Sequence, residues 1–281
     1  MTAAALKPLV LCADDYAQSP AISAGIRSLA AAGRLSATSA MVLSPHWRGQ
    51  APALAELRGR LDVGLHLDWT SAFAQAAGHG LSLGAAMRRA LLGGFDVVAA
   101  RSVIERQLDA FEAAWGAPPD HVDGHQHVQQ FRGIREPLVD VLAQRYGTAA
   151  RRPWLRLSRA PAGQGDVKAW VIAAMGAAAL QRRAARAGLP CAPALAGIYR
   201  FDGDEAGYAA RMAGWLAAVP AGTVLMCHPA SGTPTPGDGD DAIALARRRE
   251  FAHLSSAAFA AQRASTGVQL VRGSALYTAR P

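Results

Sequence analysis

The sequence predicts an α/β fold with about seven mostly parallel strands in a single domain over residues 1–281. Short, continuous apolar runs such as Leu9–Ala13 and Val224–Cys227 are typical of strands buried on both faces of a parallel sheet. These runs alternate with helical segments, and no internal repeat or change in composition marks a linker. The pattern fits one barrel-like domain, although alternation alone allows either a closed barrel or an open sheet.

The strands are predicted from apolar or alternating runs bounded by polar and turn-forming residues. In chain order these runs are 8–13, 38–43, 61–67, 121–127, 154–158, 197–201, 223–227 and 268–271. Several of them lead directly into Asp or His, as at Asp14 and His228. Because active sites of α/β barrels lie at the carboxyl ends of the strands, these polar residues are candidates for one site.

The helices are predicted from apolar residues at helical spacing and from residues that begin or end helices. They are 19–32, 52–60, 102–115, 133–146, 166–186, 205–219 and 241–263. Ser19-Pro20 begins the first helix, Gly33 ends it, and Pro118-Pro119 ends the third. Residues 71–94 are predicted to form a long loop with a short helix, and residues 232–239 a Gly/Pro/Thr loop.

Charge and cysteine content narrow the functional classes. The net charge is +8, carried almost wholly by arginines that are scattered or form short clusters without aromatic residues, such as Arg247-Arg248-Arg249. A nucleic-acid-binding protein is therefore a weak alternative. The three cysteines lack close pairing, which predicts a reducing, cytoplasmic location.

The longest apolar run, 169–180, has only twelve residues, which is too short to span a bilayer. Core packing is the favoured interpretation of this run. A second subunit, and so a homodimer, or a lipidic substrate are the alternatives.

The most informative stretch is His121-Val122-Asp123-Gly124-His125-Gln126-His127. On a strand, its four polar side chains at every second position would share one face, unless the strand ends partway. Burying such groups without partners costs several kcal/mol, so packing alone does not explain them. The alternative interpretation is a polar edge strand whose histidines face water.

Other polar residues at strand ends, together with this stretch, indicate a metal site. They are Asp14-Asp15, His66 and His228. Taken singly, an Asp pair is more often a turn, and His66 between two leucines is more often a core histidine. Taken together, one carboxylate and two imidazoles suit Zn²⁺ or another first-row divalent ion. The spacing leaves open which aspartate would bind the metal.

Four motifs resemble, in order and spacing, the YdjC-like carbohydrate deacetylases, a family that includes chitooligosaccharide deacetylases and hopanoid-biosynthesis-associated deacetylases. The motifs are Val10–Tyr16, Val63–Leu67, His121–His127 and Leu225–Pro229. The resemblance implies a distorted (β/α) barrel, similar to polysaccharide deacetylases, and metal-dependent hydrolysis of an N-acetyl group from an amino sugar or glycoconjugate. It implies one divalent ion, with Zn²⁺ or Mg²⁺ favoured and Mn²⁺, Co²⁺ or Ni²⁺ as alternatives.

The same resemblance implies roles for individual residues. Asp14 corresponds to the general base and His228 to the general acid or oxyanion partner. The implied metal ligands are Asp15, His66 and His125. Substrate-binding or supporting roles fall to Asp123, His127, Arg156 and Tyr16, with Asp123 expected to orient His125.

The chain departs from the family pattern at several positions. Tyr16-Ala17 stands where Phe-Gly is frequent, and Gly124, Gln126 and Gln129 replace other common residues. These changes concern the expected substrate pocket, which Gln126 and residues 71–94 are predicted to shape. A metal-dependent phosphoester hydrolase is the alternative enzyme, since the same ligand types support it.

Overall fold

The computed structural model describes residues 6–149, 151–232 and 241–277. Its strands form a nearly closed barrel in which all paired strands are parallel. The strands are β1 (Lys7–Tyr16), β2 (Ala37–Ala40), β3 (Asp62–Leu67), β4 (His121–Gly124), β5 (Trp154–Arg156), β6 (Cys191–Ala192), β7 (Leu195–Ala196), β8 (Val224–Cys227) and β9 (Val268–Leu270). The predicted fold class is confirmed.

Strand order explains how the barrel nearly closes. The hydrogen-bonded path runs β6-β5-β4-β3-β2-β1-β8-β7, and β9 pairs with the first residues of β1. The two ends of this path are neighbours in sequence, since only Pro193 and Ala194 separate β6 from β7. The longest strand, β1 with ten residues, pairs with β2 on one side and β8 on the other and carries the Asp pair near its carboxyl end.

Helices surround the barrel. They are α1 (Pro20–Ala31), α2 (Trp47–Gln50), α3 (Ala72–Ala76), α4 (Leu83–Leu92), α5 (Val97–Trp115), α6 (Arg135–Tyr146), α7 (Val167–Ala174), α8 (Ala177–Arg186), α9 (Glu205–Ala218), α10 (Ala244–Ser255), α11 (Ala257–Ser265) and α12 (Gly273–Leu276), with 3₁₀ helices at Ala51–Leu57 and His125–Gln130. Side-chain caps begin several of them: Ser19 accepts from the amide of Ile22, and Asp96 from the amide of Val98.

Several predicted elements are wrong in extent. Residues 197–201 are not a strand, and the missed strands β6 and β7 precede them. The predicted helix 166–186 breaks at Gly176, whose φ of 139° and whose close approach to the Gln130 carbonyl exclude a side chain. The predicted helix 241–263 ends at Ser255, and the side chain of Ser256 caps α11. Residues 71–94 contain two helices, α3 and α4, while positions 233–239 of the predicted loop 232–239 lie outside the described residues.

The apolar run 169–180 divides in the same place. In α8, Leu180 is buried in the core, as core packing predicts. In α7, Trp170 is 71% exposed while Ala169 is buried, so this half of the run packs only partly into the core. Among the described residues, no helix combines the length and the apolar character needed to cross a bilayer.

Candidate active site

A cavity of about 860 Å³ opens at the carboxyl ends of the barrel strands. Its polar lining includes Asp14, Asp15, His66, His125, His127, His228 and Arg247. Its apolar walls include Phe73, Leu83 and Met87 from α3 and α4, and Val171 and Ile172 from α7. Further apolar lining comes from other segments, for example Phe131, Phe201 and Met226. The walls include the segment 71–94, and Gln126 also lines the cavity, as the sequence predicts.

The Asp pair forms the centre of the polar lining. Asp14 continues β1, but Asp15 has a φ of 69°, a left-handed conformation that is uncommon for residues other than glycine. The turn brings its Oδ1 atom within 3.4 Å of His66 Nε2 and 3.2 Å of His125 Nδ1. Both carboxylates are buried, so each needs charged or hydrogen-bonding partners.

His66 is held in one orientation by Asp123. The register of β3 and β4 places these two residues opposite each other, and His66 Nδ1 lies 2.6 Å from Asp123 Oδ1. With a single proton, on Nδ1, His66 would direct the lone pair of Nε2 toward Asp15, as a metal ligand requires. Asp123 was expected beside His125, but it supports a different histidine. Its second oxygen accepts a hydrogen bond from the Ser39 hydroxyl at 2.5 Å and forms an ion pair with Arg156 Nη1 at 3.0 Å.

The residues fit a divalent cation. One carboxylate oxygen of Asp15 and one nitrogen each of His66 and His125 lie within 4.8 Å of one another and border the cavity. Converging acceptors require a proton or a metal between them. Burial on its own would lower the pKa of His66, but Asp123 and Asp14 outweigh it and raise the pKa to about 10. The site thus attracts positive charge strongly.

The histidine stretch does not continue as one strand. β4 ends at Gly124, and the chain turns into a 3₁₀ helix with left-handed backbone at Gln126 (φ 53°) and His127 (φ 65°). Residues held in such conformations cluster at functional sites, where the surrounding structure offsets a cost of about 1–3 kcal/mol each. The turn directs His125 toward Asp15, while His127 Nδ1 lies 2.9 Å from the Ser158 hydroxyl.

His121 lies apart from the cavity, in the barrel interior. Its ring stacks on Trp154 with centroids 4.3 Å apart, and its Nε2 lies 3.0 Å from the Ser39 hydroxyl. Cys12 and Asp123 lie near enough to form a second potential metal group with it. However, Arg156 Nη1 lies 3.0 Å from Asp123, and this positive charge disfavours a cation there. His121 is therefore the weakest candidate ligand of the stretch.

Arg156 fixes Asp14. Its two terminal nitrogens donate to the two oxygens of Asp14 at 2.6 and 2.8 Å, a bidentate pair that is fully shielded from solvent. Burial would raise the pKa of Asp14, but Arg156 and His66 hold it below its ordinary value. Asp14 is thus ionised at neutral pH, and its Oδ2 lies 4.0 Å from His66 Nε2 and 3.9 Å from His228 Nε2.

His228 borders the cavity across from His66. It follows the last residue of β8, and its backbone amide donates to Glu250 at 2.6 Å. The ring of Phe201 meets the imidazole edge-on, with centroids 5.1 Å apart. The imidazole thus lies at the cavity beside Asp14.

Arg156, expected to bind substrate, is fully buried and does not border the cavity, and the same holds for two further residues expected near the substrate. Tyr16 is completely buried, packs against Trp47 and donates its hydroxyl to the Gln50 carbonyl at 2.8 Å. Gln129 is also buried, and its amide donates to the Arg156 carbonyl and the Ser158 hydroxyl. The left-handed φ of Ala17, 70°, turns the chain away directly after Tyr16. The side chains of Tyr16 and Gln129 therefore support the structure around the site and do not line the cavity.

Sequence reasoning missed Arg247, which is only 2% exposed and donates to Asp15 Oδ2 at 2.8 Å. It belongs to the Arg247-Arg248-Arg249 cluster that was considered for nucleic-acid binding. Arg249 donates to the Phe201 carbonyl, whereas the side chain of Arg248 is exposed and makes no hydrogen bond with the residues that the structure describes. The sequence carries no signal that distinguishes Arg247 from Arg248 and Arg249.

Comparisons with known proteins agree with this architecture. The model of the family described as YdjC-like protein matches residues 8–265. The chain belongs to this family. A human protein named carbohydrate deacetylase is 30% identical, with 97% of this chain and 92% of the human chain covered. The chitooligosaccharide deacetylase of Serratia marcescens is 31% identical over 52% of this chain and 59% of that protein.

A solved structure supports the fold independently. The crystal structure of a provisionally named cellobiose-phosphate cleavage protein from Enterococcus faecalis aligns with a TM-score of 0.72, covering 98% of this chain and all of that chain. Identity is 17%, so this likeness concerns the fold alone. Family membership and fold therefore confirm the predicted resemblance.

Proposed function

We propose that this YdjC-like protein is a metal-dependent carbohydrate N-deacetylase. The observation that carries the proposal is the convergence of Asp15, His66 and His125 at a cavity, with Asp14 and His228 beside them. The names of the human and Serratia relatives supply the substrate class, an acetylated sugar. The apolar cavity walls leave room around the reacting group for the rest of such a molecule.

The donor set favours particular metals. Two imidazole nitrogens and one carboxylate oxygen suit Zn²⁺ or a neighbouring transition ion, whereas Mg²⁺ prefers oxygen ligands. A divalent ion bound there lowers the pKa of a water ligand toward about 7 and polarises a carbonyl group. Asp123 supports this role, because a carboxylate on the far nitrogen of His66 fixes the tautomer that a metal ligand needs.

Asp14 and His228 divide the proton transfers. Asp14 is ionised and held by Arg156, so it accepts the proton of the attacking water. His228, whose Nε2 lies 3.9 Å from Asp14 Oδ2, donates a proton to the departing amine. Such a pair contributes on the order of 10²–10⁴-fold per proton transfer.

The phosphoester-hydrolase alternative fits less well. Such enzymes often hold two metals about 3.5–4 Å apart. Among the described residues, the other potential groups either lie away from the cavity, as with Cys12 and His121, or reuse His66 and Asp123. The geometry therefore favours one metal per chain.

An acetate-release screen over N-acetylated sugars tests the function. We expect the protein to release acetate from at least one amino sugar, to lose this activity on removal of metal, and to regain it when Zn²⁺, Co²⁺, Mn²⁺, Ni²⁺ or Mg²⁺ is restored singly. Transition ions should restore more activity than Mg²⁺. A panel of phosphate esters serves as the comparison, and phosphate release without acetate release would overturn the proposal.

A further inference from the structure

Helix α10, outside the barrel, contacts the candidate active site at two residues, Asp15 and His228. Arg247 contacts Asp15 at the end of β1, and Glu250 accepts hydrogen bonds from the His228 amide and the Tyr199 hydroxyl, each at 2.6 Å. Both charged side chains are buried, with exposures of 2% and 0%. Charged side chains are rarely buried unless a partner compensates their charge, so packing alone does not explain these two residues.

Arg247 meets Asp15 on the side opposite the two histidines. Its Nη2 donates to Oδ2 of Asp15 at 2.8 Å, while Oδ1 faces His66 and His125. Its Nε donates to Asp241 at 2.6 Å, so the guanidinium is itself anchored. The two oxygens of Asp15 therefore have different partners.

Asp15 needs such a contact because its backbone does not follow the strand. With a φ of 69°, the residue leaves the regular path of β1, and strand geometry no longer determines the direction of its carboxylate. Without a partner on Oδ2, the carboxylate is free to rotate or to offer both oxygens at once. Arg247 removes that freedom.

We propose that Arg247 is a positioning residue that holds Asp15 so that only its Oδ1 atom is presented to a metal ion. This inference rests on the metal site of the proposed function, but not on the identity of the substrate. It also assigns one member of the arginine cluster of α10, Arg247, an internal role at the site.

The direction in which metal affinity changes distinguishes a positioning role of Arg247 from a purely electrostatic one. A positive charge this close to a cation would by itself weaken metal binding. Removing the charge would then strengthen binding, whereas removing a positioning contact weakens it. Loss of a supporting contact to a metal ligand typically costs about 10–100-fold in affinity.

The test uses Co²⁺ as the probe, because its visible absorption reports the ligand geometry without any activity measurement. Arg247→Met removes the guanidinium at similar bulk, and Arg248→Met on the exposed neighbouring position is the matched control. We expect Arg247→Met to bind Co²⁺ about 10–100-fold more weakly and with an altered spectrum. Arg247→Lys should recover part of the affinity, and Arg248→Met should match the unaltered protein.

A second variant covers the case in which Arg247→Met does not fold. Asp241→Asn keeps Arg247 but weakens its anchor, and it should reduce Co²⁺ affinity in the same direction by a smaller factor. Unchanged or tighter Co²⁺ binding by Arg247→Met, an equal loss in Arg248→Met, or failure of the unaltered protein to bind Co²⁺ overturns the inference. A protein that binds Co²⁺ as expected but releases no acetate would instead overturn the proposed function alone.

Discussion

Replacing Asp14 by Asn is expected to abolish turnover and leave the metal in place. The amide cannot accept a proton, so the rate should fall by about 10²–10⁴-fold, the usual contribution of a positioned base. The proposed ligands Asp15, His66 and His125 are unchanged, so the protein should still bind one equivalent of metal. Arg156 keeps its contact with Asp123 at 3.0 Å, which limits the damage to the buried cluster.

The neighbouring aspartate provides the matched control. Asp15→Asn weakens a metal ligand and should lower metal affinity and activity together. Metal content, measured alongside acetate release and the thermal unfolding midpoint, distinguishes the two variants. Full deacetylase activity in Asp14→Asn, or loss of its metal with the fold intact, would show that the assignment of base and ligand is wrong.

The second large effect is expected within the histidine stretch itself. His125→Ala removes a nitrogen that borders Asp15, and His127→Ala removes one that pairs with Ser158. Both side chains line the cavity and are partly exposed, so the two changes are alike in folding cost. Loss of a residue that only supports a metal ligand typically weakens metal binding about 10–100-fold. We expect His125→Ala, which removes a proposed ligand, to weaken it by a larger factor. His127→Ala should keep one metal per chain.

Isothermal titration with Zn²⁺ into metal-free protein measures both variants directly. If His127→Ala lost the metal and His125→Ala retained it, the turn after Gly124 would present a different histidine to the site. If neither variant lost it, the site would need other ligands from the barrel.

Much of the candidate site could be predicted because it depends on strand ends. Asp14, His66 and His228 each stand at the carboxyl end of an apolar run, and parallel strands bring those ends together. The runs themselves were readable because strands buried on both faces need continuous apolar residues. The barrel and the position of its cavity follow from the same pattern.

The parts that could not be predicted depend on backbone conformations without a sequence signal. The left-handed turns at Asp15 and Gln126 decide which side chains meet, and neither position holds a glycine. Asp123 therefore supports His66 across two strands, although its sequence neighbour His125 was expected. Register between β3 and β4 sets that pairing, and it depends on contacts distant in sequence.

Ion pairs between residues distant in sequence could not be predicted either. Arg247 lies 232 positions from Asp15 in sequence, and nothing in a run of three arginines indicates which one turns inward. Tyr16 was wrongly predicted to contact the substrate, because it directly follows the Asp pair in sequence. A single left-handed residue after it, Ala17, accompanies its burial against Trp47.

The central claim is that one metal ion binds where Asp15, His66 and His125 converge. Anomalous diffraction from crystals grown with Zn²⁺, recorded on both sides of the zinc absorption edge, tests it most directly. The account predicts one strong peak per chain at about 2.0–2.2 Å from an oxygen of Asp15 and a nitrogen of each histidine. A peak beside Cys12 and His121 instead, or two peaks about 3.5–4 Å apart, would contradict it.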